Sequence, residues 1–211
     1  MLLVFDWDGT LIDSTGKIVR SMQEAMHECR LPELEAKKIR NIIGLGLPEA
    51  IQELYPGIPD KERQQLQKTY SECYMRADQV PCEFYPGVEE SLDALQVDGH
   101  KIAVATGKSR RGLERVLKNV GWHDRFDATR CADETSSKPN PQMLHELMAE
   151  LVVSRDNTWM VGDTEYDLLM AANAHIKSVG VSYGAHEVER LYKHSPLAVV
   201  SDMRELLLLI N

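Results

Sequence analysis

The sequence predicts an α/β fold: a doubly wound, Rossmann-like parallel sheet carrying an inserted set of α-helices. Three observations lead there. From residue 81 onward, short apolar runs alternate with helical stretches, the pattern of successive β-α-β units. Those runs are continuous rather than alternately polar, as strands covered on both faces require. Between the first apolar run and this region, residues 15–80 contain helical patterns and no convincing strand.

Leu2-Leu3-Val4-Phe5 is a short unbroken apolar run and predicts a buried first strand. Helices are then expected at Thr15–Arg30, where Ile18, Met22 and Met26 recur every fourth residue, and at Glu33–Ile43, Pro48–Leu54 and Asp60–Gln79. Pro32, Gly44-Leu45-Gly46 and Pro56-Gly57-Ile58-Pro59 punctuate them, because proline and glycine interrupt helical hydrogen bonding. A helix at Val88–Gln96 precedes a strand at Lys101–Thr106. A helix at Arg110–Val120, a short strand near Phe126–Arg130 and a helix at Pro141–Leu151 follow. The strand Thr158–Asp163, the helix Tyr166–Ala174, the strands Ser178–Val181 and Ala198–Val200, and a helix from Asp202 complete the chain. Asp13 and Ser109 read as N-caps, and Glu165 as a first-turn acid facing a helix dipole. The division expected is a Rossmann-like core of residues 1–14 and 81–211 with a helical cap of residues 15–80.

With 211 residues, 43% of them hydrophobic, the chain can bury one good core and a second small unit. A net charge of −9 without any basic stripe argues against nucleic acid as a partner. The first apolar run has no positive flank, and Leu206-Leu207-Leu208-Leu209-Ile210 is far too short to span a bilayer, so no membrane association is expected. Cys29, Cys73, Cys82 and Cys131 form no C-x-x-C pair and read as reduced thiols, which implies a cytoplasmic protein. No long apolar surface helix demands a partner, so a monomer is expected.

Ligands of doubly wound sheets bind beyond the carboxyl ends of the strands, and chemistry concentrates there in this sequence. The first strand runs into Asp6-Trp7-Asp8-Gly9-Thr10, two carboxylates one residue apart at a turn. Such a pair is costly unless a divalent cation and a phosphate share the space. The second strand ends in Thr106-Gly107-Lys108-Ser109 and the fourth in Gly162-Asp163-Thr164-Glu165-Tyr166-Asp167, while Ser136-Ser137-Lys138-Pro139-Asn140-Pro141 leads into a helix. Asp6 is placed as a nucleophile that needs no prior deprotonation. Asp8 is placed to protonate a leaving oxygen and later deprotonate water. Mg²⁺ fits between Asp6, the main-chain carbonyl of Asp8 and Asp163. The hydroxyl of Thr106 and the N–H of Gly107 suit a phosphoryl oxygen, beside the helix start that Ser109 caps. Lys138 neutralises charge on the phosphoryl group and on Asp6. Asp167, one helical turn after Asp163, either pins Lys138 or accepts from a metal-bound water. Trp7 is expected to pack near the loop. Arg110 and Arg111 either steer anions or face solvent. The histidines show no metal-ligand spacing.

These segments, in this order, resemble the haloacid dehalogenase superfamily of aspartate-nucleophile phosphohydrolases. Asp6-Trp7-Asp8-Gly9-Thr10 corresponds to its first motif, Thr106 to the second, Lys138 to the third, and Gly162-Asp163 through Asp167 to the fourth. The helical insert resembles the small cap of the subgroup that contains phosphoglycolate phosphatases, and Arg40-Asn41-Ile42-Ile43-Gly44-Leu45-Gly46 resembles its specificity loop. That makes Arg40 a candidate for binding a substrate carboxylate; the alternative is a helix-terminal cation before a glycine stop. The resemblance implies a Mg²⁺-dependent hydrolase of a small phosphorylated metabolite, working through an aspartyl-phosphate. An acid at Asp8 favours phosphate esters over carbon–halogen bonds, because halide leaves without a proton. A phosphosugar mutase remains open, although Thr10 fits a phosphatase well. A receiver-type signalling module is a further alternative, disfavoured by the second acid and the helical insert.

Overall fold

The computed structural model describes residues 1–78 and 80–210. The chain runs β1 (Leu2–Phe5), α1 (Thr15–Glu28), α2 (Ala36–Arg40), α3 (Leu47–Leu54), α4 (Asp60–Ala77), α5 (Val88–Val97), β2 (Lys101–Thr106), α6 (Arg110–Asn119), β3 (Ala128–Cys131) and α7 (Gln142–Glu150). It continues through β4 (Thr158–Gly162), α8 (Glu165–Asn173), β5 (Lys177–Val181), α9 (Val188–Tyr192), β6 (Ala198–Val200) and α10 (Glu205–Ile210).

The strands form one parallel sheet in the order β3-β2-β1-β4-β5-β6. The chain builds outward from β1 through β2 to β3, then returns to place β4 on the other side, so the winding reverses beside β1. A crevice at such a switch point is where these sheets take ligands. Phe5 lies level with Val104 of β2 and Val161 of β4, so the residues after all three strands emerge at one edge.

Alternation along β1 explains why all four of its residues are apolar. Leu3 and Phe5 face a core shared with Leu92, Leu95, Leu113 and Leu206, whereas Leu2 and Val4 face Leu144, Leu147, Met160 and Met170. The helices α1–α4 enclose a separate apolar cluster that includes Met22, Met26, Ile39, Ile51 and Leu66. No helix among the described residues is long and apolar enough to cross a membrane. All four cysteines are free.

Several expectations need correction. The helix expected at Glu33–Ile43 shrinks to α2, because Glu35 is extended and Gly44 turns the chain at φ +100°. Strand β3 starts at Ala128 because Phe126 packs edge-on against Trp7 and Trp122. The last helix starts at Glu205, since Asp202 instead accepts from the Arg204 N–H in a turn. Ser14, not Asp13, occupies the N-cap position of α1, and its hydroxyl is committed elsewhere. Ser109 does cap α6, accepting from the Gly112 N–H at 3.2 Å. The expected end of the fourth helix at Gln79 lies outside the described residues.

Candidate active site

The loop after β1 is fixed from below. The Asp6 N–H continues the sheet by donating to the Val161 carbonyl at 2.9 Å. Trp7 turns into the core, edge-on to Trp122 and Phe126. Alternation along extended backbone then turns Asp6 and Asp8 the other way. Gly9 has φ +86°, and a Cβ there would lie 2.2 Å from Asp163 Oδ2, so only glycine lets the loop pass this close.

Lys138 lies between two carboxylates, its Nζ donating to Asp6 Oδ1 at 2.5 Å and to Asp167 Oδ1 at 2.6 Å. Its side chain is wholly buried. Asp167 Oδ2 accepts from the N–H and hydroxyl of Thr164, a capping arrangement that fixes the start of α8. Asp163 accepts from the Thr10 hydroxyl at 3.0 Å and from the Ala185 N–H at 2.7 Å. Side-chain oxygens of Asp6, Asp163 and Asp167 all lie within 4.8 Å of one another.

Lys138 thus bonds two of three clustered buried carboxylates. Burial raises the Asp6 carboxyl well above its ordinary range; Lys138 opposes this, and Asp167, Asp163 and Asp8 add to it. Burial, with Asp167, pushes Asp163 up to about 7 against the donors Ala185 and Thr10. Asp6 Oδ2 is buried with no hydrogen-bond partner. An all-oxygen donor set with surplus negative charge and an orphaned oxygen suits a small hard divalent cation such as Mg²⁺.

The carboxylate of Asp8 stands outside this cluster. Its Oδ1 accepts from the Ser14 hydroxyl at 2.6 Å and pairs with Lys108 Nζ at 3.0 Å. Lys108 also reaches the Tyr74 hydroxyl of α4 at 3.3 Å and lies 4.7 Å from the centre of that ring. Burial disfavours the Lys108 ammonium, but Asp8 and the phenols of Tyr74 and Tyr70 hold its pKa above the ordinary lysine value. Thr106 is buried at the end of β2, where its hydroxyl accepts from the Lys108 N–H at 3.2 Å. A Cβ on Gly107 would fall 2.4 Å from the Leu45 carbonyl oxygen, so the helical insert rests directly on this turn.

The segment after α2 is anchored to the core at several points. The Gly46 N–H donates to Ser137 Oγ at 2.8 Å. The Asn41 carbonyl accepts from the Tyr166 hydroxyl at 2.9 Å and from His186 Nε2 at 3.2 Å, while Arg190 donates to Asn41 Oδ1 at 2.7 Å. His186 Nδ1 accepts from the Glu165 N–H, which leaves the proton on Nε2. Burial and then Arg190 push this imidazole down to about 4, so it is neutral at ordinary pH.

A cavity of about 550 Å³ opens in front of Asp6 and Asp8, walled by α1, α4, the segment 42–50 and the start of α6. Arg40 is exposed at the end of α2 and is not among its lining residues; Ile42, Ile43, Gly44 and Leu45 line it instead. The strand ends thus bring Asp6, Asp163, Asp167, Lys138 and Thr10 together, with Asp8 beside them. Lys108, Ser14, Tyr74, Asn41 and His186 received no such role from sequence. Lys108 had one usable signal, its place in a strand-end turn, but its partner Tyr74 belongs to a distant helix.

Residues 3–181 match the family model described as haloacid dehalogenase-like hydrolase. The chain is 33% identical over 210 residues to the probable phosphatase IndB of Dickeya dadantii, covering 97% of this chain and 90% of that protein. It is 29% identical to a phosphoglycolate phosphatase of Vibrio vulnificus, covering 98% and 94%. In fold, it is similar to a solved hydrolase from Pseudomonas syringae, with a TM-score of 0.90 at 24% identity over 99% and 96% of the two chains. With the family match running from β1 through β5, and a relative sharing a third of its residues over almost the full length, the chain belongs to the haloacid dehalogenase-like hydrolase family and is a phosphatase.

Proposed function

We propose that this phosphatase is a Mg²⁺-dependent hydrolase of small phosphate monoesters that works through an aspartyl-phosphate on Asp6. The observation that carries the reading is the asymmetry of the Asp6 carboxylate. Oδ1 is held by Lys138, while Oδ2 is buried and unpartnered. An orphaned buried carboxylate oxygen costs stability, and function explains its retention. The relatives named as phosphoglycolate phosphatases support a small monoester as substrate.

In this reading a carboxylate oxygen of Asp6 forms a bond to phosphorus as the bond to the alcohol oxygen breaks. Asp8 delivers a proton to that leaving oxygen. Asp8 then takes a proton from water, which attacks phosphorus, breaks its bond to Asp6 and releases inorganic phosphate. Thr106 and Gly107 bind phosphoryl oxygens, and Lys138 offsets the charge that builds on them. Asp6, Asp163, Asp167 and the Asp8 carbonyl are the residues that would hold Mg²⁺, which when bound draws negative charge from the phosphoryl oxygens. The helices α1–α4 act as a cap that limits water in the cavity.

Phosphate release by wild type and by Asp6→Asn, with and without Mg²⁺, tests the proposal. The variant is expected to fold and to lose activity by more than about 10⁴-fold, the scale on which nucleophile removal acts. Turnover near the wild-type rate in Asp6→Asn would remove Asp6 from the chemistry.

A further inference from the structure

The cavity in front of Asp6 is much larger than a phosphorylated two-carbon acid requires. At about 550 Å³ it falls in the range of sites that enclose drug-sized ligands. Besides the cations Lys68, Lys108, Arg111 and Arg115, its lining has two characters. Met22 of α1, Ile42, Leu45, and Leu47 with Pro48 at the start of α3 supply apolar surface. Gln64, Gln67 and Ser71, three and four residues apart on one face of α4, supply a polar row. Among the described residues, the side-chain amides of Gln64 and Gln67 make no hydrogen bond within the protein, so their donors and acceptors are available to a ligand. Asp6 and Asp8 are the acids of the lining, and both sit at the reacting end. Arg40, the cation that a glycolate carboxylate was expected to meet, lies outside it; Lys68 of α4 and Arg111 and Arg115 of α6 are cations that do line it, beside Lys108.

A glycolyl group has almost no apolar surface to lay against Met22 and Ile42 and, although its carboxylate can accept from the amides, no mixed donor–acceptor edge for them to read. A flat heteroaromatic ring has both. Its faces are apolar, and its rim carries N–H and C=O groups that pair with the adjacent donor and acceptor of a glutamine amide. Resting on the phosphatase reading above, we propose that the preferred substrate is a phosphate monoester whose alcohol portion bears a heteroaromatic ring of roughly nucleoside size. The ring packs against Met22 and Ile42, and its edge is read by Gln64 and Gln67. Contacts this far from phosphorus raise kcat/KM by lowering the energy of the bound transition state relative to free enzyme and ester.

The test compares phosphate release, with Mg²⁺ present, from nucleoside 5′-monophosphates and flavin mononucleotide against release from phosphoglycolate and acetyl phosphate. The best ring-bearing ester is expected to exceed phosphoglycolate in kcat/KM by about tenfold or more, the scale of discrimination by pocket contacts. Two positions on the cavity wall, the half-buried Gln67 (as Gln67→Ala) and the exposed Ser71 (as Ser71→Trp), are expected to lower kcat/KM for that ester several-fold more than for acetyl phosphate. Calorimetric titration of Asp6→Asn with the same esters gives a second readout, in which the ring-bearing ester binds more tightly than phosphoglycolate. Equal or better turnover and binding of phosphoglycolate overturns the inference and leaves the phosphatase reading standing. Variants that lower both classes of ester equally also overturn it. Absence of phosphate release from every ester overturns the phosphatase reading, and the inference falls with it.

Discussion

Lys138 concentrates the electrostatics of the site on one ammonium group, and its two carboxylate contacts leave Asp163 to rely on neutral donors. This has a measurable consequence. A carboxyl whose folded-state pKa lies above its unfolded value binds its proton more tightly when folded. Its contribution to stability is therefore present at low pH and is lost as pH rises from the unfolded value to the folded one. For Asp163 that window runs from 3.8 to about 7. Metal-free protein is expected to lose this contribution across the window, while Mg²⁺, competing with the proton, restores more stability at higher pH. The increment in Tm on adding Mg²⁺ should thus grow between about pH 5 and pH 8. Taking the difference cancels groups that never meet the ion, and an increment independent of pH would detach the carboxylate cluster from metal binding. Lys108 gives the second residue-scale prediction. Lys108→Met keeps most of the side-chain stem and deletes the charge beside Asp8. Turnover is expected to fall by about 10²-fold, the lower range for disturbing an acid–base group, with the circular dichroism spectrum retained. Turnover within twofold of wild type would mean that Lys108 only fills space beneath Tyr74.

At the scale of elements, the segment after α2 is held by α8 and α9 through one asparagine. Arg190 bonds the Asn41 side chain and pairs with Glu165, while Tyr166 and His186 take the Asn41 carbonyl. Arg190→Ala removes the side-chain half of this clamp and leaves the carbonyl half. The expected result is a several-fold rise in KM, a smaller change in kcat, and faster amide exchange at residues 41–46. Unchanged exchange there would show that the carbonyl contacts suffice. The clamp also shows what a sequence conceals. The strands β1, β2 and β4 were legible because apolar runs end in polar turns, and α1 because Ile18, Met22 and Met26 share a face. By the same logic the strand ends pointed to Asp6, Asp8, Lys138 and Asp163. Helix α9 is a single turn, too short for any periodicity to register. Residues 33–43 read as one helix because nothing local reveals that Asn41 is drawn toward Tyr166 and Arg190. Lys108 and His186 acquire meaning only from partners in other elements, and no spacing along the chain encodes such contacts.

Across the whole molecule, the helical insert and the sheet are joined where the chain crosses between them, and Asp78 ties those crossings together. Lys17, just after the first crossing, donates to Asp78 Oδ1 at 3.0 Å and to the Val80 carbonyl at 2.8 Å. Arg115 of α6 donates to Asp78 Oδ2 at 2.8 Å, so one carboxylate links α1, the end of α4 and a core helix. Tyr74 lies one turn before Asp78, with Lys17, Arg115 and Lys108 at 5.6, 6.0 and 4.7 Å from its ring centre. The placement of the insert therefore reaches Asp8 through Tyr74 and Lys108. Asp78→Ala would orphan Lys17, whose side chain is only 7% exposed, whereas Arg115 at 31% can turn to water. Breaking a buried pair costs about 3–5 kcal/mol. The Val80 carbonyl still satisfies one Lys17 proton and Arg115 is solvated, so a loss of about 2–3 kcal/mol in urea unfolding is expected. Because the insert also loses its tether, kcat/KM should fall for small and large esters alike, and the radius of gyration by small-angle scattering should rise. Asp78→Asn, which keeps an acceptor for Lys17, should recover part of both losses. If Asp78→Ala lowers stability but leaves turnover and scattering untouched, the carboxylate neutralises charge without governing how the helices sit over the site.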